Sequence, residues 1–411
     1  MTAAARTDLR RGACPGLSTP MQTGDGLLAR LMPSGTITLD AMAGLSAAAL
    51  RYGNRIIEIT SRSSIQVRGL TYESAAAFAD AVAELAIPAH DGVPVIADPL
   101  AGLDPTEVID AVALTAELRI ALSQQGFAQR LAPKISIAVD GGGGLHLDTL
   151  AADIRLRAVA TPEGPRLHVA AGGDAASATP IAVLAPAEAI DTVMRLLREI
   201  VAHGPDARAR DVIRAVPADA APLPSRAPAE PIGLHRLRHD KMAVGLGLPF
   251  GHTDTTALSS LLRAAREVRA RGMRTAPGRT LLILGLTRPD AANFTAAARR
   301  LDFITEPDDP RRRIIACAGA PICASGQIEA RELAREVARD AIRLTRPNET
   351  IHLSGCAKGC AYQGVATFTA IGRDGVCDLL VDGVPAGSCA SGELAERLGG
   401  IALDRLPKPA S

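Results

Sequence analysis

Apolar positions recur along this chain with two periods, one helical and one alternating, and the order in which the periods change predicts most of its elements. Residues 27–32 form a short apolar run that reads as a strand, closed by a turn at Ser34 and Gly35. Leu39, Met42, Leu45, Ala49 and Tyr52 then follow a helical spacing, so a helix is predicted over 38–52 with Thr38 as N-cap and Gly53-Asn54 as the stop. Residues 55–68 alternate, with Ile57, Ile59, Ile65 and Val67 on one face, and read as a strand; a helix over 72–85 follows. The same order returns later: a strand at 242–248, a helix at 254–271 stopped by Gly272, a strand at 279–286 and a helix at 290–300. Gly285-Leu286 ends the later strand as Gly69-Leu70 ends the earlier one. Two matching units that start 215 residues apart (242 against 27) predict an internal duplication in an α+β chain.

Two larger segments lie between and after these units. In 92–215 the pattern predicts a helix from Asp104/Pro105 through Leu122, a strand at 134–139 and a helix at 186–203. In 311–399 it predicts a helix at 327–344 and strands at 350–353, 366–371 and 377–381. Residues 216–231 hold five prolines and read as a linker between the halves. The expected division is therefore 22–88, 92–215, linker 216–231, 235–303 and 311–399. Residues 1–21 have no periodic pattern and read as an extended arm, in which Arg10 and Arg11 could reach a carboxylate.

Composition narrows the function. Lys plus Arg number 45 and Asp plus Glu 44, a balance that argues against a nucleic-acid partner. The N-terminal residues carry arginines without an apolar core, and no apolar run approaches the roughly 18–20 residues that span a bilayer, so a cytoplasmic protein without a membrane partner is expected. Trp is absent and Phe plus Tyr number nine, so the core is aliphatic and a planar macrocycle would be held by its carboxylates instead of by stacking.

The chemistry concentrates in four cysteines. Cys317 and Cys323 have five residues between them, and Cys356 and Cys360 have three. Ala318, Gly319, Ala320 and Ala324 surround the first pair and Gly355, Ala357, Gly359 and Ala361 the second, which lets the backbone approach a bulky centre and offer it N–H groups. Paired thiolates of this kind converge on zinc or an iron–sulfur cluster; the spacing departs from the two intervening residues usual in zinc knuckles and favours the cluster. Buried structural thiols and a disulfide framework explain two such pairs among glycines less well. Cys14, Cys377 and Cys389 read as reduced thiols. The polar face of the alternating segment, Arg62, Ser64, Gln66 and Arg68, is expected to front a cleft, with Arg55 and Lys134 opening their strands nearby.

The cysteine pattern, with HLSGCAKGCA at 352–361, resembles the iron–sulfur signature of the sirohaem-type nitrite and sulfite reductase superfamily. Within it, RGACPGLSTPMQTGDGLLARL at 11–31 and DPLAGLDP at 98–105 resemble the precorrin-3B synthase branch. The resemblance runs from about residue 11 to about 399. It implies an internally duplicated nitrite/sulfite reductase-like fold, with two ferredoxin-like half-domains (22–88 and 235–303) and two reductase-like segments. It implies a 4Fe-4S cluster on Cys317, Cys323, Cys356 and Cys360, with Cys360 as the cysteine that in the superfamily bridges to the haem iron. Residues matching Arg55, Arg62 and Lys134 hold tetrapyrrole carboxylates or a small anion there, and Arg30, Gln66 and Arg68 extend that basic face.

Two departures weigh against sulfite or nitrite reduction. The second lysine of the reductases is Ser136 here, and an arginine ahead of the proline matching Pro99 is replaced by Val93-Pro94-Val95-Ile96. The branch resemblance implies an iron–sulfur monooxygenase: precorrin-3A and dioxygen as substrates, hydroxylation of a meso carbon with γ-lactone closure, and electrons from NAD(P)H through a reductase or from ferredoxin. The oxygen-activating iron, sirohaem or mononuclear, has no ligand set legible in the sequence: the eight histidines are dispersed, and the His235/His239 pair reads as surface. A sirohaem-dependent reductase and a non-catalytic electron-transfer or scaffold subunit are the competing readings. A carrier has no use for a polycarboxylate cleft. His352 reads as a structural hydrogen-bonding group and Lys358 as a charge beside the cluster.

Overall fold

The computed structural model describes residues 15–90, 92–127, 130–213, 222–346, 349–362 and 364–405. Arg10, Arg11 and Cys14 lie outside the described residues, as do 216–221 of the proline-rich stretch. Among the described residues the strands form four sheets, in two pairs that repeat each other.

The first pair comes from the matching units. One sheet has the order Met21–Thr23, Gly26–Leu31, Ile65–Leu70, Ile56–Ile59, His252–Asp254; the other runs Gly233–Arg236, Met242–Gly247, Thr280–Leu286, Gly272–Ala276. The helix Leu39–Tyr52 starts where expected, with Thr38 Oγ1 accepting from Ala41 N at 3.0 Å. It packs on Thr255–Glu267 of the other unit, and Ser46, Leu45, Leu258, Leu261 and Phe294 enter or border one shared aliphatic core. The paired helices cover one face of each sheet, and the opposite face of the later sheet, at Ala243, Leu282 and Leu284, packs against Leu100 and Leu145 of the first larger segment.

Two expectations are corrected. Residues 55–68 are not one strand but a hairpin, with Ile57 opposite Val67 and Ile59 opposite Ile65. The apolar positions keep one phase on both sides of the polar run 60–64, which makes the turn, with Ser63 at φ +63°. The later helix stops at Glu267 instead of continuing to 271, and Gly272 opens a strand, Gly272–Ala276, that completes the equivalent hairpin. Gly69 and Gly285 both need the left-handed region (φ +73° and +82°), and a Cβ would meet Asn54 Cβ at 2.4 Å or Arg271 Cγ at 2.7 Å. Gly69→Ala is expected to cost about 1–3 kcal/mol, read by denaturant unfolding.

The second pair of sheets extends the duplication beyond the sequence reading. Val95–Ala97, Ile137–Asp140 and Ile154–Thr161 are parallel neighbours, followed by antiparallel Gly164–Ala171 and Thr179–Leu184. Ile314–Ala316, Ile351–Ser354 and Phe368–Arg373 are likewise parallel, followed by antiparallel Val376–Val381 and Val384–Ala390. A helix crosses from first to second strand in each (Ala111–Ser123, Ala330–Leu344), and another follows the fifth (Pro186–His203, Leu394–Asp404). Asp110, not Asp104, caps the first crossover helix.

The described part of the proline-rich stretch is strapped to the first of these sheets. Arg226 bonds Asp140 and Asp148, Pro224 O accepts from Arg157 at 3.0 Å, and Ala227 O lies 2.9 Å from His146 Nε2. Proline composition predicts a spacer; its arginine makes it a tether.

Candidate functional site

The cysteines stand at the carboxyl ends of parallel strands, where open α/β sheets commonly present their ligand-binding loops. Cys317 follows Ile314–Ala316 directly, and its N–H donates to Leu353 O at 3.2 Å. Its sulfur in turn accepts from Gly355 N at 3.0 Å, at the end of the neighbouring strand that leads to Cys356. The Cys323 loop folds back through Gly319, with Cys323 N donating to Gly319 O at 2.8 Å. From the first half-domain, Gly24 presses on it so closely that a Cβ there would lie 2.3 Å from Cys323 Sγ. Lys358 donates to Ser325 Oγ at 2.9 Å, across the two loops.

Burial pushes the Cys317 thiol up, and the nearby Cys323 and Cys356 add to it, while the Gly355 and Gly319 amides act the other way. Burial and Cys356 also raise Cys360, against the pull of Arg68 and Lys358. The four sulfurs thus lie within mutual electrostatic reach, and to act as ligands they must release protons as the group binds. Among the described residues no three His, Cys, Asp or Glu side chains gather tightly enough for a single ion. The four thiols on two facing loops, with the Gly355 amide aimed at Cys317, could hold a thiolate-bound metal centre.

Behind the cysteines lies a buried charge network. Arg68 pairs with Asp25 at 3.0 Å and Glu58 at 3.8 Å, and Arg331, from the helix after the Cys323 loop, pairs with Glu58 at 2.7 Å. Gln66, in the amide orientation that satisfies its neighbours, donates to Glu58 Oε2 at 3.2 Å and accepts from Arg30 Nη2 at 3.0 Å. Gln66 and Arg68 therefore hold Glu58, which ties the half-domain sheet to Arg331 on the helix after the Cys323 loop. Arg55 is elsewhere: with φ +70° it turns out to Thr256 Oγ1 at 3.2 Å.

A cavity of about 740 Å³ opens beside Cys360, within the size range of small-molecule sites. Arg62, at the hairpin tip, lines it and donates to Ser136 Oγ at 2.7 Å; Lys134 and Arg30 line it too. The Lys134 ammonium has no hydrogen bond or ion pair with the described residues. Three further cations come from places the sequence reading passed over. Arg119 donates to Val95 O at 2.9 Å, Arg208 holds Asp153 at 2.7 Å, and Arg274 donates to Pro99 O and Ala101 O at 3.1 and 2.8 Å. Arg274 sits on the unrecognised strand Gly272–Ala276, and Arg119 on the helix Ala111–Ser123, turned in toward Val95.

His90 also lines the cavity, and burial with the Arg119 charge lowers its pKa to about 4, so it is neutral at physiological pH. Asp98 closes the cavity wall at 4 % exposure. His352 lies on the buried strand Ile351–Ser354, edge-on to Tyr362, but its Nε2 has no hydrogen-bond partner among the described residues, so the hydrogen bond expected of it is not found at that nitrogen. Cys377 and Cys389 are free thiols facing each other across Val376–Val381 and Val384–Ala390, away from the cluster loops in the pairing order.

Comparison with known proteins bears on the fold and the family. The family described as the nitrite/sulfite reductase ferredoxin-like half domain matches residues 19–85. A ferredoxin–nitrite reductase of Synechococcus elongatus is 26 % identical over 92 % of this chain and 84 % of its own. The structure of the Mycobacterium tuberculosis NirA protein superposes with a TM-score of 0.69, covering 94 % of this chain and 82 % of that one at 18 % identity, which establishes the shared fold. A precorrin-3B synthase from a Sinorhizobium species is 37 % identical over 97 % of this chain and 88 % of its own length, and on that likeness the chain belongs to the precorrin-3B synthase family.

Proposed function

We propose that the protein is an oxidoreductase of cobalamin biosynthesis that converts precorrin-3A to precorrin-3B, inserting one oxygen atom of dioxygen at a meso carbon with closure of a γ-lactone. The observation that carries this reading is that Cys360, the last of the four cysteines, lines the same cavity as Arg30, Arg62 and Lys134. One site then holds both a route for electrons and a grip for a many-armed carboxylate.

Cys317, Cys323, Cys356 and Cys360 would hold a 4Fe-4S cluster, which when bound supplies single electrons to the cavity. The chain's own residues do the rest. Arg62 and Lys134 bind the acetate and propionate arms by charge-assisted hydrogen bonds. Arg30, held by Gln66, which itself donates to Glu58, adds a further cation at a set angle. The apolar stretch Pro94–Ala97 keeps water off the ring. Ser136 supports the preference over sulfite or nitrite: the hydroxyl orients Arg62 but adds no charge to stabilise a small oxyanion. Electrons would come from ferredoxin or an NAD(P)H-dependent reductase. No described helix is long and apolar enough to cross a membrane.

Aerobic incubation of the reconstituted protein with precorrin-3A and a reduced electron donor is expected to yield precorrin-3B, and exclusion of dioxygen to stop it. Turnover that persists without dioxygen, or stoichiometric sirohaem with sulfite reduction, would overturn the reading. Arg62→Ala is expected to weaken tetrapyrrole binding by about 10- to 100-fold, as loss of one charge-assisted bond does, with little change in thermal stability.

A further inference from the structure

The duplication of the two five-stranded sheets places one residue of the first copy where the second copy has a cluster cysteine. Ala97 pairs with Val139 as Ala316 pairs with Leu353. The next residue donates its N–H to the partner strand in both: Asp98 N to Val139 O at 3.1 Å, and Cys317 N to Leu353 O at 3.2 Å. Its side chain then accepts from the amide two residues on: Asp98 Oδ2 from Gly141 N at 3.1 Å, and Cys317 Sγ from Gly355 N at 3.0 Å. The two copies thus present an acid and a thiol from the same position of the same scaffold.

Asp98 is not explained as a structural group. It is nearly fully buried, yet Oδ1 has no hydrogen-bond partner among the described residues. Among the described residues no cation pairs with it; the charged groups around it are Asp140 from the adjoining strand, Glu107 from the loop before Ala111–Ser123, and Arg274 from Gly272–Ala276, whose guanidinium is held by Pro99 O and Ala101 O. Asp140 is itself tied to Arg226. A buried carboxyl oxygen left unbonded is costly unless something else meets it, and Asp98 forms part of the wall of the cavity that also contains Cys360.

Building on the function proposed above, we infer that Asp98 is the catalytic acid of this site, holding a proton at Oδ1 and delivering it to oxygen in the cavity. Burial, with Asp140 and Glu107 adding to it against the Gly141 amide, raises the Asp98 pKa to about 8, so the proton is present at neutral pH. Monooxygenation needs such a donor. One oxygen atom becomes the hydroxyl on the meso carbon while the acetate oxygen bonds the adjoining ring carbon. The C=C between the two carbons is consumed, and the carboxyl proton balances the new hydroxyl. The other oxygen atom leaves as water and takes up two protons, with two electrons from the reduced donor. With the macrocycle seated, solvent is shut out. Asp98 supplies one of those protons as its O–H bond breaks, and the carboxylate regains it from solvent once the cavity reopens.

Asp98→Asn tests this, because the amide oxygen keeps the bond from Gly141 while the side chain can no longer give up a proton. In the cluster-loaded protein kcat is expected to fall about 100-fold or more, the usual span for a lost general acid, with KM and tetrapyrrole binding within about threefold. The wild-type rate should decline as pH rises through about 8, where the acid ionises, and the variant should lack that limb. Folding is not at risk. A raised folded pKa makes wild-type stability greatest below the unfolded carboxyl value and lower as pH rises to about 8, a decline the variant escapes.

Infrared difference spectra give a readout apart from turnover: a protonated-carboxyl C=O band in the wild-type that disappears near pH 8 and is missing from Asp98→Asn. An unchanged kcat, a rise in KM alone, or a band that survives the substitution would overturn the assignment. If the wild-type itself fails to convert precorrin-3A, the proposed function falls, while the band still reports whether Asp98 is the protonated group.

Discussion

Replacing Cys356 with alanine is expected to strip the protein of its inorganic sulfide and most of its iron, and to leave no turnover. The loop that carries Cys356 faces the Cys317 loop through the Gly355–Cys317 contact at 3.0 Å. A cluster spanning both loops would tie the parallel strands Ile314–Ala316 and Ile351–Ser354 together at their carboxyl ends. With one corner unligated, the cluster's edge is open to water and thiols, and metal-site binding free energy is lost together with the local order it supports. The segment 311–399 should therefore melt at lower temperature than in the loaded wild-type.

Cys377→Ala is the control. That thiol is buried on Val376–Val381, and its pKa is pushed up to about 11 by burial, with Cys389 and Asp378 adding to it, so it is no thiolate. It should keep full iron and sulfide at a modest cost in stability. Iron and sulfide analysis with the visible spectrum decides the matter; a Cys356→Ala protein that stays brown and active would remove the cluster assignment.

The second large effect concerns stability. Arg226 bonds two carboxylates, with Asp148 Oδ1 at 2.6 Å and Asp140 as its other partner. Asp140 and Asp148 are 2 % and 8 % exposed, so Arg226→Ala strands buried negative charge in the first reductase-like sheet. Breaking a buried pair from one side costs about 3–5 kcal/mol; Arg157, 3.7 Å from Asp148, compensates part of it.

The pH dependence has a definite sign. Burial acts to raise the Asp148 pKa, but the hydrogen bonds and charge of Arg226 outweigh it, and the carboxyl lies below its ordinary value. Its contribution is therefore present above the unfolded carboxyl pKa, about 3.9, and lost as pH falls below it. The gap between wild-type and Arg226→Ala should be widest near neutrality and close in acid. Denaturant unfolding across that range checks it; a neutral-pH loss below about 1 kcal/mol, the scale of an exposed pair, would mean the strap is ornamental. The same substitution leaves Asp140 uncompensated beside Asp98, so the descending limb of activity should move to higher pH.

By itself the sequence determined the cysteine pairs, the repeat of the half-domain units, and the helices whose ends carry their own caps, as Thr38 does for Leu39–Tyr52. These are local: a spacing, a period and a capping oxygen act within a few residues of chain. Where the local pattern is silent or continuous, only tertiary structure decided. The apolar positions of 55–68 keep one phase on either side of the polar run 60–64, so the period reads as a single strand, and only the pairing reverses the chain there and sends Arg68 to Asp25 and Arg62 to Ser136. Val95–Ala97 and Ile314–Ala316 are three residues each, too short to show a period, yet their register makes Asp98 and Cys317 equivalent. The cavity draws Arg30, Arg119, Arg208 and Arg274 from four distant stretches. A burial energy depends on what the whole chain brings against a side chain, and that sum is formed only when the sheets have paired.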